Sequence, residues 1–388
     1  MTMLRKMAAL LVCAGLMIPL GAKAAGQPME EGQPLLLTSP SAVLAEPSTG
    51  AVIFEKNADE RREAASITKL MTALLVLEAV EQGQVALTDS VTISQNAAAM
   101  KGSQALLDAG ATYSLEDLLM TTIMASANDS AVALAEHLCG TEALFAEKMN
   151  ERAAQLGMTN THFVNATGYP QEGQYTTARD VCTLSCEVIR HPKYMEYSSI
   201  WMDQLTHPGG RVTDLTNTNR LVRFYEGCDG LKTGSTDAAK YCLSATAEKN
   251  GMRLVAVVLG TPVSQTRFDE ARAMLDYGFA TYRRITVCNR GDLLGQTLPV
   301  KGGSAEEVPL ALGSGLSMLL KNGQQKDVTI ELELKENVQA PVKAGDVMGV
   351  ARVLLEGQVV AKINCVAATD VPRPGFIEGL ERILKNWR

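Results

Sequence analysis

The chain has 388 residues, 46 % of them hydrophobic and 20 % charged, with a formal net charge of −7. That length exceeds one ordinary core and implies two domains, while the composition is that of a globular protein rather than a disordered or fibrous one. The acidic balance excludes nucleic acid as a partner, because a phosphate backbone demands a basic face.

The first residues read as an export signal. "MTMLRKMAALLVCAGLMIPLGAKAAGQ" sets Arg5 and Lys6 before an apolar run from Met7 to Leu20, and Ala22-Lys23-Ala24 supplies an A-x-A cleavage site, so residues 1–24 are expected to be removed. Cys13 does not make this a lipoprotein signal, since bulky Val12 precedes it. No later stretch is apolar for long enough to cross a bilayer. Of the eight cysteines, Cys139, Cys182, Cys186, Cys228, Cys242, Cys288 and Cys365 follow the signal. They are odd in number and too widely spread for a disulfide framework or a zinc ribbon, so most are expected to be small buried hydrophobes. His137, His162, His191 and His207 form no His-x-x-x-His pair, and no metal site is expected.

"SAVLAEPSTGAVIFEKNAD" gives two short alternating runs about Pro47-Ser48-Thr49-Gly50, which predicts a hairpin. A helix is expected from Ser66, with Leu70, Leu74 and Leu77 beside Met71 and Leu75 at helical spacing. From there to about Arg190 the chain reads as mostly helical. Strands return in "GLKTGST" and in "KYCLSATAEKNGMRLVAVVLG", where Asn250-Gly251 is a hairpin turn. "SQTRFDEARAMLDYGFATY" closes this part as a helix, so residues 36–285 predict one sheet with helices packed on it. Residues 286–371 change character: "VTIELEL" and "VMGVARVLLEGQVVAKINCVA", punctuated by Ala-Gly-Asp and Glu-Gly-Gln, predict a small all-β module. After Pro-Arg-Pro-Gly, residues 375–388 predict an amphipathic helix, with Phe376, Ile377, Leu380, Ile383, Leu384 and Trp387 on one face and Glu378, Glu381, Arg382, Lys385 and Arg388 on the other. It is too short to span hydrocarbon but suited to lie in a membrane surface.

The chemistry starts at Ser66 and Lys69. A serine hydroxyl is a poor nucleophile until a base takes its proton, and an ammonium entering an apolar helix is costly unless something pairs with it. At i and i+3 the two side chains share a helix face. Burial lowers a lysine's proton affinity, and the neutral amine is a competent base. Backbone N–H groups at the helix start face the point where oxyanion charge develops. The pair alone is unspecific. Two further stretches keep it company: Ser126-Ala127-Asn128 at a helix start, otherwise readable as a cap, and Lys232-Thr233-Gly234 in a strand, where glycine marks close approach.

S-x-x-K, a Ser-x-Asn and K-T-G in this order are the signature of penicillin-binding proteins and serine β-lactamases. Over nearly its whole length the chain resembles the low-molecular-mass penicillin-binding proteins, the serine-type D-alanyl-D-alanine carboxypeptidases. The resemblance extends to the signal, "CDGLKTGST", "LSATAEKNGMRLVAVVLG", "APVKAGDVMGVARV" and the terminal amphipathic helix. It implies an α+β domain of the serine β-lactamase and DD-peptidase type, an antiparallel sheet with packed helices and a helical subdomain, followed by the all-β domain. It also implies no cofactor. By resemblance, Ser66 is the acylated nucleophile, Lys69 the acylation base, Ser126 a proton relay and Asn128 a ligand of the acyl amide that positions Lys69. Lys232 and Thr233 hold the terminal carboxylate of the donor, Gly234 leaves room for substrate along the strand, and the N–H groups of Ser66 and Ser235 form the oxyanion hole. The implied partners are peptidoglycan stem peptides, β-lactams as acylating inhibitors, and the outer face of the cytoplasmic membrane through the terminal helix.

The chain departs from the family at Ala239-Lys240-Tyr241, where Ala-Gly precedes the aromatic residue in other members, and in its seven cysteines. Other activities on the same fold are a β-lactamase, disfavoured because "HFVNATGYPQEGQYTTARD" lacks the E-x-x-x-N pattern, a D,D-endopeptidase, and a catalytically weak peptidoglycan-binding protein.

Overall fold

The structure is a computed structural model that describes residues 35–377. The expected signal at residues 1–24 and the amphipathic segment beyond residue 377 lie outside the described residues.

Five antiparallel strands form the central sheet: β1 (Ser41–Glu46), β2 (Ala51–Lys56), β3 (Cys228–Thr236), β4 (Lys240–Lys249) and β5 (Met252–Thr261), in the spatial order β2-β1-β5-β4-β3. The turn between β1 and β2 is held by Glu46, whose carboxylate accepts from the backbone and hydroxyl groups of Ser48 and Thr49. Asn250 and Gly251, both at positive φ, make the two-residue turn that joins β4 to β5.

The sheet is covered on both faces, and strand alternation sorts its side chains accordingly. Val43, Ala45, Val255, Val257 and Leu259 point into one core. Ala42, Leu44, Leu254, Ala256 and Val258 point into the other. The first core contains the helices α1 (Lys69–Glu81), α2 (Leu115–Met124), α3 (Asn128–Cys139), α4 (Glu142–Gln155) and α5 (Ala178–Val188). The second is closed by α6 (Ser264–Thr281) through Phe268, Ala271, Met274 and Leu275. Helix α1 is buried almost all round from Lys69 to Leu77, which is why its sequence shows so little polar face.

The expected helix at Ser66 begins differently. Ala65–Thr68 form a 3-10 turn and the α-helix proper starts at Lys69, so Ser66 stands in the tight entry turn. The helical block is also interrupted. Ser90–Thr92 pairs with Thr112–Ser114 as a short ribbon within the stretch read as helical, where Gly, Asp, Ser and Thr favour turns over helix.

Beyond α6, the strands Glu307–Leu312, Val328–Leu334, Val347–Leu355 and Gln358–Ala367 belong to a six-stranded sheet. Tyr282–Cys288 pairs separately with Leu316–Lys321. Two small apolar clusters, one around Val308, Leu310 and Met348 and one around Ala351, Val353 and Ile363, fill this module. The seven cysteines that are described are all free thiols, and five of them are buried as apolar side chains.

Arg152 ties three helices of the first core together: its guanidinium lies 2.7 Å from Glu78 on α1 and 3.0 Å from Glu187 on α5. Glu78 and Glu187 also come within ligand reach of His191, but the Arg152 guanidinium already occupies both carboxylates. Arg152→Ala leaves Glu78 half-buried without its ion-pair partner and Glu187 with only the more exposed Arg190 at 3.3 Å, so an expected loss of about 1–3 kcal/mol should appear in urea unfolding without change in the folded far-UV spectrum.

Candidate active site

The entry turn of α1 packs on the edge strand β3, and the start of α3 reaches Lys69 at the beginning of α1. Ser66 is half-buried while Lys69 beneath it is 1 % exposed. The lysine Nζ lies 3.0 Å from Ser66 Oγ and donates to Asn128 Oδ1 at 2.6 Å and to the Thr167 carbonyl at 2.8 Å. Burial pushes its proton affinity well below that of a free lysine, and the neighbouring Lys232 adds to this, against the opposing pull of Asp129 and Glu142. In the neutral form Nζ has a lone pair, and Ser66 O–H is the donor facing it.

Asn128 has its amide orientation fixed at both ends. Its Oδ1 faces Lys69, while its Nδ2 donates to the Lys101 carbonyl at 2.6 Å. The next residue, Asp129, is fully buried and accepts from the N–H groups of Ala105 and Leu107. Together they bind the 101–107 loop to the start of α3. Ser126 is buried at φ +64°, and Ala65, just before Ser66, sits at φ +47°. A left-handed backbone costs a side-chain-bearing residue about 1–2 kcal/mol, and one such residue directly precedes Ser66 in the chain. Among the described residues the Ser126 hydroxyl makes no hydrogen bond to Lys69 or Lys232.

On β3, Lys232 is 1 % exposed and donates to its neighbour's carbonyl, Thr233 O, at 3.2 Å. Burial, and next the Arg267 guanidinium, hold it down to about 7. Thr233 Oγ1 bonds Thr218 Oγ1 at 2.7 Å. Gly234 has a reason other than room for substrate. A Cβ there would lie 2.3 Å from the Ala64 carbonyl oxygen and 3.2 Å from Ile67 N, so the glycine lets the turn carrying Ser66 press directly on the strand. Ser235 is exposed beside it. Lys240 is exposed at the hairpin end, paired with Thr236, at φ +54°. A glycine adopts that conformation freely, and here a lysine bears it.

Three contributors escaped the sequence reading. Arg267 on α6 donates to the Gly234 carbonyl at 3.0 Å and supplies the positive charge felt by Lys232, yet its helical spacing is that of any solvated arginine. Thr167 offers only a backbone carbonyl, which no side-chain pattern announces. Glu142 looks like an acidic residue in a first helical turn, a common placement.

The pattern describing the D-alanyl-D-alanine carboxypeptidases, Peptidase_S11, matches residues 27–263. That describing the penicillin-binding protein 5 C-terminal domain matches residues 282–373. The D-alanyl-D-alanine carboxypeptidase DacF of Bacillus subtilis is 37 % identical over 348 residues, 89 % of each chain. DacC of Escherichia coli is 34 % identical over 342 residues, 86 % of this chain and 84 % of that protein. The crystal structure of penicillin binding protein 5 from Haemophilus influenzae superimposes with a TM-score of 0.78 at 32 % identity, covering 88 % of this chain and all of that one.

The depressed Lys232 sets a sign for stability. The unfolded lysine keeps its proton to about pH 10.5 and the folded one only to about pH 7. Between these values the unfolded chain binds the extra proton, and folding gains stability as pH rises. Lys232→Met should remove that gain, so that thermal melts of wild type and variant diverge between about pH 7 and pH 8.5, with the wild type rising. Parallel melts would refute the buried-lysine assignment.

Proposed function

The chain belongs to the D-alanyl-D-alanine carboxypeptidase family of serine peptidases, the penicillin-binding proteins of low molecular mass, and on that footing we propose roles for the residues of its site. The reaction is removal of a terminal D-alanine from a peptidoglycan stem peptide. In the roles proposed, Ser66 Oγ attacks the carbonyl carbon of the penultimate D-alanine while its proton passes to the neutral Lys69 amine. The resulting oxyanion is held by the N–H groups of Ser66 and Ser235, on the entry turn and the strand edge that Gly234 brings together. Asn128 keeps Lys69 aimed at Ser66 and offers its amide to the substrate. Ser126 carries the proton onward to the leaving amine, the peptide C–N bond breaks, and D-alanine departs. Water then attacks the acyl-serine, returning its proton by the same route and freeing Ser66.

Lys232 and Thr233 receive the donor's terminal carboxylate. A lysine held to about 7 is partly neutral near that pH, and an incoming carboxylate restores its charge, so substrate binding takes up a proton. As an outer strand, β3 leaves one side of its backbone free of the sheet, which suits an extended peptide laid along it. A β-lactam, with its strained amide and carboxylate, occupies the same places and acylates Ser66.

The observation that carries these roles is the buried Lys69 at 3.0 Å from a half-exposed Ser66 hydroxyl. Intact mass after incubation with penicillin, followed by D-alanine release from a stem pentapeptide, tests them. Wild type should carry one stable adduct and release D-alanine. Ser66→Ala should lose the adduct and at least about 10³-fold of the turnover. An adduct retained in Ser66→Ala would place the nucleophile elsewhere, and rapid loss of the adduct with penicillin hydrolysed would make the chain a β-lactamase.

We also propose export through residues 1–24, a division into the catalytic unit 36–285 and the β module 286–371, and attachment to the membrane surface by residues 375–388. Phe376 and Ile377, which begin the terminal apolar face, are exposed, and among the described residues no helix is long and apolar enough to cross a membrane. The β module then acts as a spacer. Ending the chain after Pro374 should move the protein from the membrane pellet to the supernatant. Continued sedimentation would remove the surface-helix assignment.

A further inference from the structure

Lys69 takes its third hydrogen bond from a loop, and that loop is held from behind by a carboxylate the reaction does not use. Residues 165–168 turn tightly around Asn165, whose Oδ1 accepts from Thr167 N at 3.2 Å, Thr167 Oγ1 at 3.1 Å and Gly168 N at 2.8 Å. The Ala166 carbonyl accepts from Thr72 Oγ1 at 2.6 Å, one turn of α1 beyond Lys69. The Thr167 carbonyl meets Lys69 Nζ at 2.8 Å. Gly168 lies so close to the turn before Ser66 that a Cβ would fall 1.9 Å from the Ala65 carbonyl oxygen. The loop therefore touches the base and the backbone of the nucleophile at once. On its far side the Ala166 N–H donates to Glu142 Oε1 at 2.9 Å, from the first residue of α4.

We propose that Glu142 is a positioning residue for acylation: its half-buried carboxylate anchors the 165–168 loop, so that the Thr167 carbonyl and Gly168 hold Lys69 and the Ser66 turn in register. The anchor must be an acceptor, since its partner is a backbone N–H, and an unmet N–H at this depth is costly. A negative charge here does a second thing. Lys69 is faced by Lys232 from β3, by Asp129 from α3 and by Glu142 from α4, and only the two carboxylates favour its protonated form. Glu142 is itself faced by Glu136 and Lys69. Burial raises its proton affinity first, while the Ala166 bond and Lys69 pull the other way and Glu136 adds to the rise. Losing the Glu142 charge makes Lys69 shed its proton more readily, so the acid side of the acylation profile moves to lower pH.

The proposal rests on Ser66 as the acylated serine, which adduct formation by wild type tests on its own; the variants are compared as ratios to that rate. Penicillin acylation rates across pH, with a thermal melt for each protein, separate anchor from charge. Glu142→Gln keeps an acceptor for Ala166 N–H and should stay within about threefold of the wild-type plateau. Glu142→Ala loses the acceptor and should acylate about tenfold more slowly. In both, the acid limb should move down by about 0.5–1 pH unit. A Glu142→Ala protein with wild-type plateau and limb overturns the proposal, as does a Glu142→Gln protein as slow as Glu142→Ala. Should Glu142→Ala fail to fold, the Glu142→Gln limb decides: a downward shift supports the proposal and an unmoved limb overturns it.

Discussion

A lysine buried in an apolar interior beside a serine is the constraint from which the rest of the catalytic half follows. Lys69 is 1 % exposed, and a charged amine in that position would cost several kcal/mol without compensation. The fold meets this from three directions: Ser66 from the entry turn before α1, Asn128 from the start of α3 and the Thr167 carbonyl from a loop. Three acceptors are enough to satisfy an ammonium, yet desolvation and Lys232 weigh against the charge. The result is an amine that can exchange a proton with the hydroxyl above it, the property acyl transfer to serine requires.

The same demand explains two close backbone approaches. The Ser66 turn is pinched between Gly234 on the strand and Gly168 on the loop, each with the carbonyl of Ala64 or Ala65 where a Cβ would stand. No flexible side chain intervenes, so the distance from nucleophile to strand is set by backbone contact. Left-handed Ala65 is held in that vice, which is how local strain persists in a folded chain. Arg267 completes the arrangement from the opposite face of the sheet, through the Gly234 carbonyl and through its charge on Lys232.

Placing a second buried lysine near the first makes Lys69 hold its proton less firmly, and a carboxylate beside Lys232 would restore its charge. The strands of the β module pair among themselves, mostly around small apolar clusters of their own, while Leu319 packs against the second core of the first unit.

Much of this was legible in the chain. Period-two runs and the Asn250-Gly251 pair gave the strands and their turn, because a strand's alternation and a turn's backbone demands are local. The order of Ser66-x-x-Lys69, Ser126-x-Asn128 and Lys232-Thr233-Gly234 carried the family and its activity, because a motif's residue types and spacing are written in the chain itself. Tertiary structure decided the rest. Burial of both sheet faces, the 3-10 entry at Ser66, the reason for Gly234, and the parts taken by Arg267, Thr167 and Glu142 all depend on segments distant in sequence meeting in space. A backbone carbonyl has no sequence signature, and a glycine's necessity shows only when the atom it makes way for is in place. The sequence thus determined which groups carry the family's motifs, and the packing of distant segments decided how far apart they stand and how deeply each is buried.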